Sequence, residues 1–325
     1  MIGQIVGGAN NAFSVAVEGA TTVRCTLKGK KLKGAEGFYN PLAAGDLVEW
    51  EPASAGTGTI SALIPRKSLF WRYNEKGKAI QAIAANMDVV VCVTSAGLPP
   101  FRPRFIDRVS LEPASEHVPF LIVMNKADLG ISDDARQRLE YYRGIGFEVI
   151  ETSVSTGQGI QMLRERIAGI TSAFVGQSGV GKSSLLNTIQ AGLGLKVGEV
   201  CEKYARGRHT TVAAVLIELA AGGTKVIDTP GFRRLAVRGI DPVSLAACFP
   251  EMKAIMTRCR HGAKCSHLDE PGCAIVAAVQ AGSIHPDRYE SYARIHAELQ
   301  DTRSYARQVG RPRRDHHAEE YDDDA

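Results

Sequence analysis

Gly176-Gln177-Ser178-Gly179-Val180-Gly181-Lys182-Ser183 sets Gly176 and Gly181, with four residues between them, ahead of a Lys-Ser pair. Small residues let successive backbone N–H groups turn inward and cradle phosphate oxygens. Lys182 can reach β- and γ-phosphates, and the Ser183 hydroxyl can ligate Mg²⁺. The contact set expected for a nucleotide phosphate is therefore Gly176, Gln177, Ser178, Gly179, Val180, Gly181, Lys182, Ser183 and Ser184. Lys182 is expected to stabilise charge during phosphoryl transfer.

A second signature, Asn125-Lys126-Ala127-Asp128, follows the apolar run 118–124. Asp128 can accept from the guanine N1–H and exocyclic amine, an arrangement adenine does not offer. The Lys126 stem can cover one face of the base, and Asn125 can tie this loop to the phosphate loop. Alone, the tetrapeptide could be a helix start with Asp128 near the cap. The turn Thr152-Ser153-Val154-Ser155, after the strand-like run 147–150, is expected to back the base, with Ser153 against it.

Asp228-Thr229-Pro230-Gly231 supplies a third element. Asp228 is expected to help hold Mg²⁺, and the Gly231 N–H to sense the γ-phosphate. Between the two lies Gly207-Arg208-His209-Thr210-Thr211, where Thr210 or Thr211 can close over the metal; spacing does not choose between them. Phe232 stands where many GTPases carry a water-positioning glutamine. A phenyl ring cannot orient water, so turnover is expected to be slow without help, and His209 is the nearby candidate for that role.

The order of these motifs is informative. The base-reading tetrapeptide precedes the phosphate loop by some fifty residues, the reverse of the usual order. The pattern is that of a circularly permuted GTPase. Around it, apolar runs at 89–93, 119–124, 147–150, 171–175, 212–219 and 224–227 alternate with helix-like stretches at 104–115, 133–143, 160–168 and from about 182. That alternation predicts a parallel-rich, doubly wound α/β sheet. Permutation costs little where chain ends lie close together. It also sends the segment after Phe232 out of the sheet, through Arg233 to Val237, into the C-terminal region.

That region holds Cys259, Cys265, His267 and Cys273 with spacing Cys-x5-Cys-x-His-x5-Cys. Three thiolates and an imidazole fit one closed, structural zinc site. His261, in the same window, is a weaker candidate. Cys25, Cys92, Cys201 and Cys248 are scattered. A disulfide framework is the alternative for the cluster, and the absence of a secretory signal with a nucleotide site in the same chain argues against it.

The first sixty-odd residues alternate short β-like runs, at 3–6, 12–17, 22–27 and 46–50, with glycine-rich turns, which predicts a small β-barrel of the OB type. Arg24, Lys28, Lys30, Lys31 and Lys33 form a basic run there. It is either a solvated loop or a contact for a nucleic-acid backbone. The expected units are 1–66 (OB barrel), 67–237 (permuted GTPase) and 238–325 (a mostly helical zinc module with a basic, then acidic, tail).

Taken together, the barrel, the permuted GTPase motifs and the Cys-Cys-His-Cys module resemble the RsgA (YjeQ) family of small ribosomal subunit biogenesis GTPases. The resemblance covers nearly the whole chain to about Gly310. Its most specific parts are Gly176 to Ser184, Gly207 to Thr211, Asp228 to Gly231, and Cys265-Ser266-His267-Leu268-Asp269-Glu270-Pro271-Gly272-Cys273. It implies GTP hydrolysis stimulated by the 30S ribosomal subunit late in that subunit's maturation, contact with its rRNA, and a cytoplasmic monomer. The implied cofactors are GTP/GDP, Mg²⁺ and one structural zinc. One departure is the five-residue Cys259–Cys265 gap, where the family usually has four.

Composition agrees without pointing there. The chain has 325 residues, 44% hydrophobic, with a net charge of +4. No apolar run of about eighteen residues marks a membrane span. Five arginines and no acid lie between Arg303 and Arg314, before an acidic end expected to be a disordered tail. Two other readings stand: a GTPase acting on another RNA or RNA–protein target, and a non-catalytic nucleic-acid-binding module. Intact Lys182, Ser183 and Asp228 count against the second.

Overall fold

Alternating burial along the first strands builds the N-terminal unit. In the computed structural model, which describes residues 1–9, 11–17, 22–29, 32–33, 38–74, 79–191, 214–219, 222–232 and 235–309, strands β1 (Ile2–Ala9), β2 (Ala12–Ala16), β3 (Val23–Leu27), β5 (Leu47–Pro52) and β6 (Thr57–Leu63) close into a barrel. β5 returns to pair with β1, and β3 pairs in parallel with β6, while the other neighbours are antiparallel. That closure is the OB topology. Ile5, Phe13, Val15, Cys25, Val48, Trp50 and Ile60 fill the interior from alternate positions.

Next comes a sheet that the sequence reading did not anticipate. β4 (Phe38–Asn40), β7 (Leu69–Asn74) and β8 (Ala79–Ala85) form three strands in the order β4-β8-β7. Phe70 of β7 is fully buried against the core of the central sheet.

The central sheet runs β11-β10-β9-β12-β14-β13. Its strands are β9 (Val89–Ser95), β10 (Phe120–Asn125), β11 (Glu148–Glu151), β12 (Thr171–Gly176), β13 (Val215–Glu218) and β14 (Lys225–Asp228). All pairs are parallel except β13 with β14. Buried on both faces, these strands read as continuous apolar runs, as at Val89 to Val93. Helices α1 (Pro103–Val109) and α3 (Asp133–Gly144) cover one face through Phe105, Ile106, Val109, Leu139 and Tyr142. Helices α4 (Ile160–Ile167) and α5 (Lys182–Ala191) cover the other through Ile160, Leu163, Leu185 and Ile189. The stretch read as one helix, 104–115, is two: α1 ends at Val109 and α2 (Leu111–Ser115) follows. Pro113 lacks the N–H that an unbroken helix would need there.

The barrel seats on the β13–β14 edge of this sheet. Lys225 Nζ donates to Gln4 Oε1 at 2.7 Å, and a Cβ at Gly7 would stand 3.1 Å from the Ala214 carbonyl oxygen.

The C-terminal region is helical. Short turns at Pro242–Cys248, Pro250–Lys253, Met256–Arg258 and Gly262–Lys264 lead to helices Ala274–Gln280 and Pro286–Val309. Leu245, Phe249, Met252, Ile275, Tyr292 and Leu299 pack around the buried cysteines. No helix among the described residues is long and apolar enough to cross a membrane.

Candidate nucleotide site and candidate metal centre

β9, β10, β12 and β14 are parallel neighbours, so their carboxyl ends point the same way, and the loops beyond them converge. The phosphate-loop pattern lies between β12 and α5, the strand–loop–helix setting it needs. Gly179 and Gly181 both hold φ near +90° (+87° and +90°), a region that L side chains rarely enter. A Cβ at Gly181 would also come within 2.5 Å of Asn125 Nδ2. Val180, between them, is buried and pins the loop to the core beneath α4 and α5. Ser183 and Ser184 open α5 with exposed side chains. The α5 N-terminus and the loop N–H groups favour an anion at this spot.

Asn125 and Lys126 bind the phosphate loop directly. Asn125 Nδ2 donates to the Val180 carbonyl at 3.0 Å. Its Oδ1 accepts from Thr152 Oγ1 at 3.2 Å. Lys126 Nζ donates to the Gly179 carbonyl at 2.9 Å and to the Leu98 carbonyl. Asp128 is exposed. Hydroxyl hydrogen bonds from Ser153, then Ser155, hold its carboxyl below the usual range, so it presents a charged acceptor. Ser153 is fully buried beneath it.

Asp228 ends β14 beside the phosphate loop. Lys182 Nζ, largely buried, donates to Asp228 Oδ1 and to the Thr229 carbonyl. A Cβ at Gly231 would meet Ser178 Cα at 3.0 Å, so this turn lies directly on the phosphate loop. The Phe232 N–H donates to the Gly176 carbonyl at 3.0 Å. The Phe232 ring is buried edge-on against Phe70, with centroids 6.1 Å apart. Its side chain therefore serves the core and faces away from solvent. Gly207, Arg208, His209, Thr210 and Thr211 lie outside the described residues, as do Cys201, Lys30 and Lys31.

Two partners of this site carried no sequence motif. Thr152 is legible from sequence only as part of a turn. The loop after β9 carries no chemical motif, although Leu98 accepts from Lys126 and Pro99 would lie 3.4 Å from a Cβ at Gly179. Its Pro99-Pro100 pair, with three residues between it and the end of β9, is the available turn signal.

In the C-terminal region, Cys259, Cys265, His267 and Cys273 are all buried, with ligand atoms within 4.8 Å of one another. Cys259 Sγ lies 3.4 Å from His267 Nδ1 and 3.8 Å from Cys273 Sγ. Cys273 Sγ lies 3.6 Å from the same nitrogen. A tetrahedron with Zn–S of about 2.3 Å and Zn–N of about 2.0 Å has edges of about 3.8 Å (S···S) and about 3.5 Å (S···N). The donor set therefore fits a closed four-ligand zinc site. The five residues between Cys259 and Cys265 include the exposed turn Gly262–Lys264, and the ligands stay together. His261 points elsewhere, with Nε2 3.1 Å from the Pro271 carbonyl oxygen.

Protein groups hold this loop from outside. Burial pushes the Cys265 thiol up to about 12, which a bound cation would reverse. Burial works against the Glu270 carboxylate. The Ser266 hydroxyl and the N–H groups of Ser266 and Leu268 overcome it and hold Glu270 at about 2. Tyr292 OH donates to the Ser266 carbonyl at 2.7 Å, and Tyr289 OH to the His267 carbonyl at 3.0 Å.

On the barrel, Arg24 is exposed on β3 and Lys28 just past its end, with Lys28 3.7 Å from Glu51, and Lys33 is exposed further on.

A base-reading loop at the end of β10, placed in the chain before the phosphate loop between β12 and α5 and before Asp228 at the end of β14, defines a circularly permuted phosphate-loop GTPase. Comparison with known proteins narrows the class. A family model described as RsgA GTPase matches residues 63–238. Over 307 residues the chain is 37% identical to the small ribosomal subunit biogenesis GTPase RsgA of Borrelia recurrentis (strain A1), covering 94% of this chain and 97% of that one. It is 44% identical over 275 residues to the protein of the same name from Moorella thermoacetica, covering 85% and 89%. The crystal structure of YjeQ from Thermotoga maritima superposes with a TM-score of 0.68 at 31% identity, over 96% of this chain and 99% of that one. YloQ, described as a circularly permuted GTPase, superposes at 0.64 with 26% identity, over 93% and 95%. The chain belongs to the RsgA GTPase family, and it is a GTPase.

Proposed function

We propose that this GTPase acts in late maturation of the small ribosomal subunit, binding the 30S subunit through its rRNA and hydrolysing GTP faster there than alone. The relatives' shared name supports the target. The observation that carries the reading is the short path from the phosphate-sensing turn to the C-terminal module. Gly231 lies on the phosphate loop and Phe232 is clamped in the core. Leu235 and Val237 then meet Arg108 of α1 and Glu298 of the long helix, at 3.2 Å each. A change at Gly231 would be passed to a surface that a large partner can touch.

In this reading Asp128 selects guanine, with Asn125, Lys126 and Ser153 framing it. Gly176 to Ser184 hold the phosphates, and Lys182 stabilises the transferring charge. Ser183 and Asp228 hold Mg²⁺, which would neutralise charge on the β- and γ-phosphate oxygens when bound. Thr210 or Thr211 closes over it, and His209 orients the water. Cys259, Cys265, His267 and Cys273 hold zinc. Arg24, Lys28 and Lys33 offer charge to an RNA backbone. The site of action is then the cytoplasm, where the subunit matures.

Co-sedimentation with isolated 30S and 50S subunits, with GTP turnover measured in each, tests this. Binding and stimulation by 30S alone are expected, with Lys182→Ala as the turnover-deficient control. Equal stimulation by both subunits, or by neither, would move the target to another RNA or RNA–protein particle.

A further inference from the structure

The base-reading side of the nucleotide site reaches the C-terminal module by a route that bypasses the phosphate-sensing turn. Two segments frame that side. The loop after β9 gives the Leu98 carbonyl to Lys126 and runs into α1. The loop after β10 carries Asp128 and runs into α3, which Ser132 caps through the Ala135 N–H. α1 and α3 meet at Asp107, which is fully buried.

Three groups converge on its carboxylate. Tyr142 OH of α3 donates to Oδ1 at 2.6 Å, and Arg138 Nη2 of α3 donates to Oδ2 at 3.1 Å. The third is Arg288 Nη1, from the long C-terminal helix, at 2.7 Å from Oδ1 across 181 residues of sequence. Arg288 is itself fully buried. Its Nε donates to Glu251 Oε1 at 2.7 Å, and its guanidinium carbon lies 4.4 Å from the Phe249 ring centroid. The next turn of the same helix carries Tyr289 and Tyr292, which hold the carbonyls of His267 and Ser266 in the metal loop.

Buried charges cannot part without leaving one of them uncompensated. Arg138 Nε and Nη1, Arg288 Nη2 and Glu251 Oε2 already lack a hydrogen-bond partner among the described residues, so losing a charge partner would add to a cost the network already bears. Asp107 therefore joins α1, α3 and the long C-terminal helix at one fully buried point, inside the more exposed pairs of Arg104 with Asp287 and Glu290 and of Arg108 with Glu298. We propose that the Asp107–Arg288 pair makes guanine-nucleotide binding and metal retention in the C-terminal module mutually dependent, with Asp107 and Arg288 acting as positioning residues for the base-reading loops. The inference rests on the guanine site proposed above. Because this route starts at the base-reading loops, GDP suffices to engage it, whereas a signal through Gly231 needs the γ-phosphate.

The test uses the zinc-loaded full chain and measures the rate of zinc transfer to a colorimetric chelator without nucleotide, with GDP, and with a non-hydrolysable GTP analogue. GDP is expected to slow transfer by roughly fivefold or more, the low end of typical coupling between linked sites, and the analogue to act similarly. Arg288→Met that keeps its zinc is expected to lose the GDP effect on transfer, and any tightening of GDP binding that zinc loading gives the parent chain should disappear with it, since coupling between two ligands is reciprocal. Arg288→Lys should restore part of both. Zinc transfer indifferent to GDP in a chain that binds GDP by fluorescence titration overturns the inference while leaving the site reading intact. Slowing by the analogue alone, or a full GDP effect persisting in Arg288→Met, overturns it too. A chain that binds no guanine nucleotide overturns both readings. If Arg288→Met does not fold, the parent chain decides alone.

Discussion

Asn125 and Val180 are joined by a side-chain-to-backbone hydrogen bond of 3.0 Å across 55 residues of sequence. The bond fastens the base-reading loop to the phosphate loop in a chain where the permutation has reversed their order. Both of its ends are buried. Asn125→Ala leaves the Val180 carbonyl and the Thr152 hydroxyl without this partner, at a cost of roughly 1–3 kcal/mol. The expected result is about tenfold or greater weakening of fluorescent GDP binding, with the melting temperature moving less than nucleotide affinity does.

Asp128 presents a carboxylate kept charged by Ser153 and Ser155. Asp128→Asn replaces one acceptor by a donor. GTP binding should weaken while xanthine nucleotides, whose C2 carbonyl accepts a hydrogen bond, should gain in preference. Competition titrations with the two nucleotides measure this, and unchanged selectivity would remove Asp128 from base reading.

Phe232 belongs to the core, packed on Phe70. Phe232→Ala should destabilise the chain by about 3–5 kcal/mol. Phe232→Leu should cost no more than about 1.5 kcal/mol and leave turnover close to the parent's, because the ring orients no water. Denaturant unfolding and GTP turnover on both variants separate packing from chemistry. A sharp loss of turnover in a stable Phe232→Leu chain would contradict this.

Cys273→Ala removes one of four donors from a site whose occupancy can be worth roughly 10–16 kcal/mol apparent. Elemental analysis should give about one zinc per chain in the parent, as a single four-ligand site requires, and essentially none in the variant. Fluorescent GDP binding should survive but weaken if the Asp107–Arg288 link operates, and 30S-stimulated turnover should collapse. A zinc-free parent with full stimulated activity would remove the metal from the account.

Local patterns made much of this legible from sequence. A phosphate loop is one turn with its glycines, and Cys265 to Cys273 is one short loop, so contiguous residues carry both. The OB barrel was legible from alternation in its first strands, but β6, rich in glycine, serine, threonine and alanine, offers few large side chains to mark it. The three-stranded sheet went unseen for a related reason. β4 has three residues, and β8 is mostly alanine, whose pattern does not distinguish strand from helix. Least legible was the Asp107 network. Its members come from α1, α3, the helix Pro250–Lys253 and the long C-terminal helix, and each looks like an ordinary surface charge until the helices are packed.

The seat of the barrel on the sheet has a consequence for how this chain can be cut. Among the described residues β13 is hydrogen-bonded to β14 alone, and β1 passes so close at Gly7 that a methyl group would press on the Ala214 carbonyl. An uncovered strand edge is a template for pairing with other chains. Here the barrel doubles as a guard for the α/β domain, keeping the edge beside β14 and its Asp228 from recruiting a neighbour. A fragment beginning at residue 67 would keep every nucleotide motif and lose that guard, so its weakness would be self-association before any failure to bind GTP.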